Sequence, residues 1–435
     1  MKFSSSDKWL DQVQSTFRDE EVILLESQME GHPSSKKTLA ALKPKRWIRA
    51  ESDQITIFNG TRTTSFRGDP WEALKVFRNT KNGWLFGYLG YDLKNFTEKL
   101  QSVNRAMYQF PDLYFMEPES LLIYENGEVS LYGNPVELEN ISPGKTESSK
   151  PDAVDVKELV TKEEYIKNVV LIKERIAAGD FYELNYSYAL QTEWKTHPYR
   201  LFQKMRAVNP VPFGAYIQME EGAVCSISPE RFLRKEGGKI ISEPIKGTSV
   251  RMENAEADKQ SRQELLNEKN RAENLMIVDL VRHDLSKVAK TGSVQVEKLF
   301  DVQSFGTVHQ LLSTVVAEAA NNTDAVDIVK ECFPMGSMTG APKIEVMKAI
   351  DNLENYKRGI YSGAIGYFTP DDDFDFNVVI RSAIVQNHCL TYPVGGAITS
   401  DSDADAEWEE TKIKAQSLTK VFRKDGELRN EAVSK

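Results

Sequence analysis

Cysteine is scarce in this chain. Cys225, Cys332 and Cys389 are the three among 435 residues, an odd, scattered set with no Cys-x-x-Cys pair. That spacing excludes a disulfide framework and a thiolate zinc site and fits a reducing compartment. Long apolar runs are missing too: no stretch of about 18 apolar residues occurs, and the opening MKFSSSDKWLDQ has no apolar leader. A cytoplasmic, soluble protein without a membrane partner is therefore expected. Positive charge is in deficit, with a formal net charge of −10 and a pI near 5.3. That balance argues against nucleic acid or an anionic bilayer as partner. A small anion stays open as a ligand, because local cations can override the global sign. There is no internal repeat and no low-complexity tract.

The chain is 40% hydrophobic, enough for one large or two ordinary cores. Residues 1–135 mix strand-like runs with a few helices. Residues 136–157, rich in Pro, Ser and charge, read as a linker or surface loop. A second region covers 158–423, and 424–435 read as a C-terminal tail. Helices are expected over 162–178, 263–290, 324–332, 343–353 and 404–423, with strands at 186–190, 213–219, 224–227, 363–368, 377–385 and 390–398. Many of these strands are neighbours in sequence, so the fold class is α+β with largely antiparallel sheets.

Ser228–Thr248 carries the first chemistry. It reads as two short strands around the Gly237-Gly238 turn. A three-residue loop sets Glu230 opposite Lys246; a two-residue loop sets it opposite Ile245 and requires a bulge or strand end near Pro244. Either register brings an acid and an amine to one end of the hairpin. The pair suits protonation of a leaving group beside a nucleophilic amine, or a plain cross-strand salt bridge.

Other candidates are spread along the chain. Glu407, Glu410 and Lys414 share one face of the last helix and suit a hard cation plus a carboxylate, or an ordinary solvated face. Glu273 lies on a helix that reads as apolar nearly all round, where a carboxylate needs a partner, a metal being one candidate. Asp401, Asp403 and Asp405 do not form a calcium loop, because Ala406 and Lys412 occupy its glycine and glutamate positions. The GSMTGAPK segment (336–343) lacks a Walker A ending. Gly395 and Gly396 fall in a strand pattern, where glycine admits a ligand close to the backbone. Arg381, inside an apolar strand, is paired with an acid or aimed at an anion. His283 and His309 are the histidines in promising surroundings.

Taken together, these motifs resemble the chorismate-utilising family, which includes anthranilate synthase component I, aminodeoxychorismate synthase component I, and isochorismate and salicylate synthases. The resemblance rests on SPERF (228–232), EPIKGT (243–248), RAENLMIVDL (271–280) with RHDL (282–285), VHQL (308–311), GSMTGAPK, YSGAIGYF (361–368), Arg381 in VVIRSA and EWEETKIKA (407–415). In the N-terminal third, LLES (24–27) and GYLGYD (87–92) add to it. It implies two large β-sheets packed face to face, helices outside and the site between the sheets. It further implies Glu230 as general acid, with Glu273 and Glu410 holding Mg²⁺ directly and Glu407 through water. Lys414 would lie beside the ring carboxylate. Tyr361, Arg381 and the backbone around Gly395, Gly396 and Ala397 would hold the enolpyruvyl carboxylate, and Glu183, Thr248 and His309 would also line the substrate site.

Lys246 selects within the family. Where other branches read PIAGT, PIKGT is the reading of aminodeoxychorismate synthase component I. There the lysine is thought to attack C2 of chorismate before ammonia from a glutamine amidotransferase subunit (component II) enters C4. That role requires burial to lower the Lys246 pKa. Three departures stand out: Glu183 where amine-transferring branches carry Gln and water-adding branches Lys, Asn270 where an outer metal-shell acid is common, and Ala397 for a glycine. Glu183 leaves an isochorismate-type reaction open. Ser27, Pro212, Phe213 and Gly214 align with a tryptophan pocket of the family.

Overall fold

In a computed structural model the described residues are 6–27, 37–81, 83–138, 155–304 and 308–422. Every strand ladder among them is antiparallel, and all the strands connect through hydrogen bonds. Two long strands, Thr38–Glu51 and Leu113–Glu125, organise them. Their Leu39–Leu42 and Ser120–Glu125 portions pair with Val22–Glu26 and Glu128–Gly133, while Trp47–Glu51 and Leu113–Met116 pair with Gln54–Phe58 and Leu85–Leu89. Between these portions the register shifts after Pro44, which faces Pro118. Two prolines without N–H donors mark the bend, and the strands pass from one sheet to the other there.

The first sheet continues through Phe213–Met219, Gly222–Ser228, Ser382–Gln386 and Cys389–Ile398 to Glu183–Glu193. The second runs from Leu85–Leu89 through Ala364–Phe368, Phe374–Val378, Arg231–Glu236 and Lys239–Glu243 to Val308–Glu318. Alternation along the strands sorts side chains by face. Ile23, Ala215 and Ile217 of the first sheet meet Phe86 and Ile365 of the second in one buried cluster, while their neighbours Val22, Leu24 and Tyr216 face the other way. On that outer face the helices Lys162–Ala177, Pro198–Val208, Lys343–Leu353 and Ala404–Thr419 pack through Tyr165, Phe202, Val346 and Trp408. The outer face of the second sheet is covered by Pro70–Thr80, Glu268–Ser286 and Ala325–Cys332 through Trp71, Val278 and Val329. The result is helix on sheet on sheet on helix, the architecture expected from the resemblance.

Several sequence expectations need correction. The helix expected over 263–290 is two, Ala255–Glu264 and Glu268–Ser286, because Asn267 caps a new start by accepting from the Asn270 amide. That second helix, apolar nearly all round its middle, is not buried all round, since Leu275 is 47% exposed. The strand expected at 377–385 is broken, because residues 379–381 cross from the second sheet to the first, with Arg381 at a left-handed φ of 50°. The N-terminal region is interleaved with the rest through both sheets. Of the expected linker, 139–154 lies outside the described residues, as does the tail.

Candidate active site

Two crossings lie side by side. Gly222–Ser228 belongs to the first sheet and Arg231–Glu236 to the second, so Pro229 and Glu230 form the passage between them. The 379–381 passage runs back the other way. The Val378 amide donates to the Glu230 carbonyl (3.0 Å) and the Ile227 amide to the Arg381 carbonyl (3.2 Å). Topology therefore puts an acid and a guanidinium at the seam of the sandwich. A cavity of about 700 Å³ opens there, lined by Glu230, Lys246, Thr248, Glu273, Tyr361, Arg381, Gly395, Glu407, Glu410 and Lys414, among others.

Glu230 and Lys246 share the cavity but are not a cross-strand pair. The turn is the two-residue alternative, Glu236 facing Lys239, with a bulge between Arg231 and Arg234 and a strand end at Glu243. Beyond Pro244 the chain continues as Ile245–Val250 and pairs instead with Val308–Leu312. Lys246 consequently finds another partner. Its amine donates to Glu183 Oε1 at 2.8 Å and lies 3.9 Å from Glu273. Glu183 is 1% exposed, and its Oε2 has no hydrogen-bond partner among the described residues.

Electrostatics separates the two. Burial pushes the Glu230 carboxyl up to about 7, against the pull of its Ser337 hydrogen bond and of Lys246 and Arg381. A carboxyl poised there can give a proton near neutrality. Burial also pulls Lys246 down, but Glu183 and Glu273 outweigh it and hold the amine above the ordinary lysine value. The lowered value expected from sequence is therefore corrected, because two carboxylates came with the burial. Arg381 has no acid within ion-pair distance among the described residues, and burial lowers it. Of the two readings open to it, the structure favours the anion.

At the other end, Ser402 donates to Glu407 Oε1 (2.7 Å), and Lys414 donates to the Gly395 carbonyl (2.9 Å) while pairing with Glu410 (2.8 Å). Lys414 keeps Glu410 below the usual carboxylate range; burial lifts Glu273. Gly396 runs beside them: an added Cβ would lie 3.5 Å from both Glu407 Oε2 and Lys414 Nζ, in ordinary contact. No three His, Cys, Asp or Glu groups stand gathered as a metal cage among the described residues. The Lys269 ammonium instead stands near two of the carboxylates, 3.4 Å from Glu407 and 3.9 Å from Glu273. A cation drawn into that place is what a hard-metal donor set would attract, so the residues fit one.

Two histidines fall elsewhere. Val308 lines the cavity but His309 does not; its ring bonds Ser304 (2.7 Å) and Asp258 (3.0 Å). The strand's alternation turns it away from the substrate role expected of it. His283 is 71% exposed. Lys343 of GSMTGAPK is structural, donating to Asp284 at 2.6 Å. Asn270 lines the cavity and donates to the Leu265 carbonyl. Sequence reasoning missed Lys269 and Ser337. The first had a legible signal, standing one helical turn before Glu273; the second lies within GSMTGAPK, but only the fold brings it to Glu230.

A second cavity, of about 450 Å³, is lined by Ser27, Pro212, Phe213 and Gly214 together with Trp84 and Tyr367. Pairing of Val22–Glu26 with Phe213–Met219, which registers Glu26 on Gly214, brings the two motifs together.

Residues 20–420 match the model of a family described as chorismate binding enzyme. An aminodeoxychorismate synthase of Streptomyces griseus is 44% identical over 260 residues, covering 59% of this chain and 36% of that protein. The matched stretch thus spans about a third of that relative's length. Aminodeoxychorismate synthase component 1 of Salmonella typhimurium is 31% identical over 91% of this chain and 92% of its own. Anthranilate synthase component I from Streptococcus pneumoniae superposes with a TM-score of 0.79 at 26% identity, covering 91% and 94% of the two chains. No helix among the described residues is long and apolar enough to cross a membrane.

Proposed function

The chain belongs to the chorismate binding enzyme family and is a chorismate-utilising enzyme; from that premise we propose that it aminates chorismate at C4, as the component I subunit of an aminodeoxychorismate synthase. The observation that carries the reading is one cavity holding both the Lys246 amine and the Glu230 carboxyl, poised near 7. Lys246 attacks C2 of the ring. Its electron pair moves both ring double bonds, C1=C2 to C1=C6 and C5=C6 to C4=C5, and expels the 4-hydroxyl, which leaves as water with the Glu230 proton. Ammonia then forms the bond at C4, both double bonds shift back, and the Lys246 nitrogen departs from C2 with its electron pair. Before attacking, Lys246 has to lose a proton, and Glu183 is the acceptor in contact with it.

Arg381 and Tyr361 would take the enolpyruvyl carboxylate, and Lys414 would lie beside the ring carboxylate. Glu273 and Glu410 would hold Mg²⁺ directly and Glu407 through water. When bound, the ion would anchor the ring carboxylate and offset charge as the hydroxyl leaves. The component 1 name of relatives supports a separate subunit, read here as a glutamine amidotransferase that supplies ammonia toward p-aminobenzoate and folate. The cavity holding Ser27, Pro212, Phe213 and Gly214 is read as a tryptophan site.

Glu183 favours a second reading. A carboxylate that keeps Lys246 protonated suits water as nucleophile, as in an isochorismate-type reaction. Product analysis separates the two: the chain is incubated with chorismate, Mg²⁺ and ammonium, with and without an aminodeoxychorismate lyase. p-Aminobenzoate formed only with the lyase, and lost in Lys246→Ala, supports amination. Isochorismate, or anthranilate, formed with Lys246→Ala as well would overturn it.

A further inference from the structure

Lys269 sits where helix chemistry does not want it. It is the second residue of Glu268–Ser286, in the first turn, where the helix dipole disfavours a cation. Its helical partner Glu273 follows it by four residues, the weaker of the two orientations for such a pair. Carboxylates from elsewhere hold it there. Glu407 comes from the last helix, and Glu407, Glu273 and Glu410 all act on the Lys269 charge.

These are the carboxylates assigned above to the divalent cation, so the inference rests on that reading. Lys246 also approaches Glu273, but it is 12% exposed and fixed by Glu183. Lys269 is 49% exposed at the cavity edge, on a flexible stem with a path to water. We propose that Lys269 is an internal counter-ion: its ammonium fills the cation position in the metal-free chain and swings out to solvent as the divalent ion enters. One positive charge then stands in for two until the ion arrives, which spares Glu273 and Glu407 an unpaired burial. It also makes the ion compete for its own site.

The test uses the full chain. Mg²⁺ titration by calorimetry and Mn²⁺ titration by electron paramagnetic resonance compare wild type with Lys269→Met, which keeps the stem and drops the charge. The variant should bind either ion about tenfold more tightly, and without metal it should melt lower and recover on adding Mg²⁺. Unchanged or weaker binding would overturn the proposal. The second arm needs no variant: amine-reactive labelling of wild-type Lys269, read by mass spectrometry, should quicken with Mg²⁺. Slower or unchanged labelling would also overturn it. Glu410→Gln separates the two levels. If wild type binds the ions and Glu410→Gln does not, the metal site stands whatever Lys269 does. If neither wild type nor Lys269→Met binds them, the site reading itself falls.

Discussion

The chain passes between its two sheets at two kinds of place, and each carries a cation near the bend. At the Pro44–Pro118 bend, Arg46 is 3% exposed and fully engaged. It reaches Glu117 at 2.5 Å and the carbonyls of Phe77 and Lys81 at 2.7 and 3.0 Å, with its guanidinium 4.3 Å from the centre of the Phe77 ring. At the other passage, Arg381 has no acid partner among the described residues, and Glu230 is pushed toward its neutral form. One bend satisfies its charge and the other leaves charge waiting. Burial of a cation is therefore not the mark of a site; burial without a partner is, because the desolvation is then offset only when a ligand arrives.

This contrast can be broken by mutation. Glu230→Gln should lower the rate of chorismate turnover by about 10²–10⁴-fold without lowering the denaturant midpoint; a near-normal rate would remove Glu230 as proton donor. Arg46→Met leaves Glu117 only the exposed Lys45, at 3.2 Å, and takes the donor from the Phe77 and Lys81 carbonyls; it should cost about 1–3 kcal/mol of unfolding free energy, while the folded fraction keeps its KM for chorismate. Arg381→Met should do the reverse, raising KM about 10–100-fold, with stability within about 1 kcal/mol of wild type. If both arginine variants unfold alike, the distinction is wrong.

The smallest effect is in pH. Glu230 works as the acid, so turnover should hold below its value of about 7 and fall roughly tenfold per unit above it. The same raised value means that the folded chain binds more protons than the unfolded one between the ordinary 4.5 and about 7. Its contribution to stability accordingly declines as pH rises through that window. Glu230→Gln should flatten both limbs, as a pH–rate series and pH-dependent melts would read.

Much of the site was legible one residue at a time. Glu230, Lys246, Glu273, Arg381, Glu407, Glu410 and Lys414 were all singled out, the family resemblance added Tyr361, and all line one cavity. His309 was not legible, because one strand position decides which face it takes. Nor was the break at Arg381: an apolar run reads as one strand even where it changes sheets. The value of Lys246 went the wrong way because sequence shows that a lysine is buried but not what is buried with it.

By itself the sequence determined what depends on neighbours along the chain. Strand alternation, the Gly237-Gly238 turn and the shared face of Glu407, Glu410 and Lys414 all follow from local sterics and short-range hydrogen bonds. Only the tertiary structure decided which charges meet. It gave Lys246 to Glu183 across 63 residues and Lys269 to Glu407 across 138. The effect of one charge on another falls off with distance in space and depends on the solvent between them, and neither quantity is written in the order of the residues.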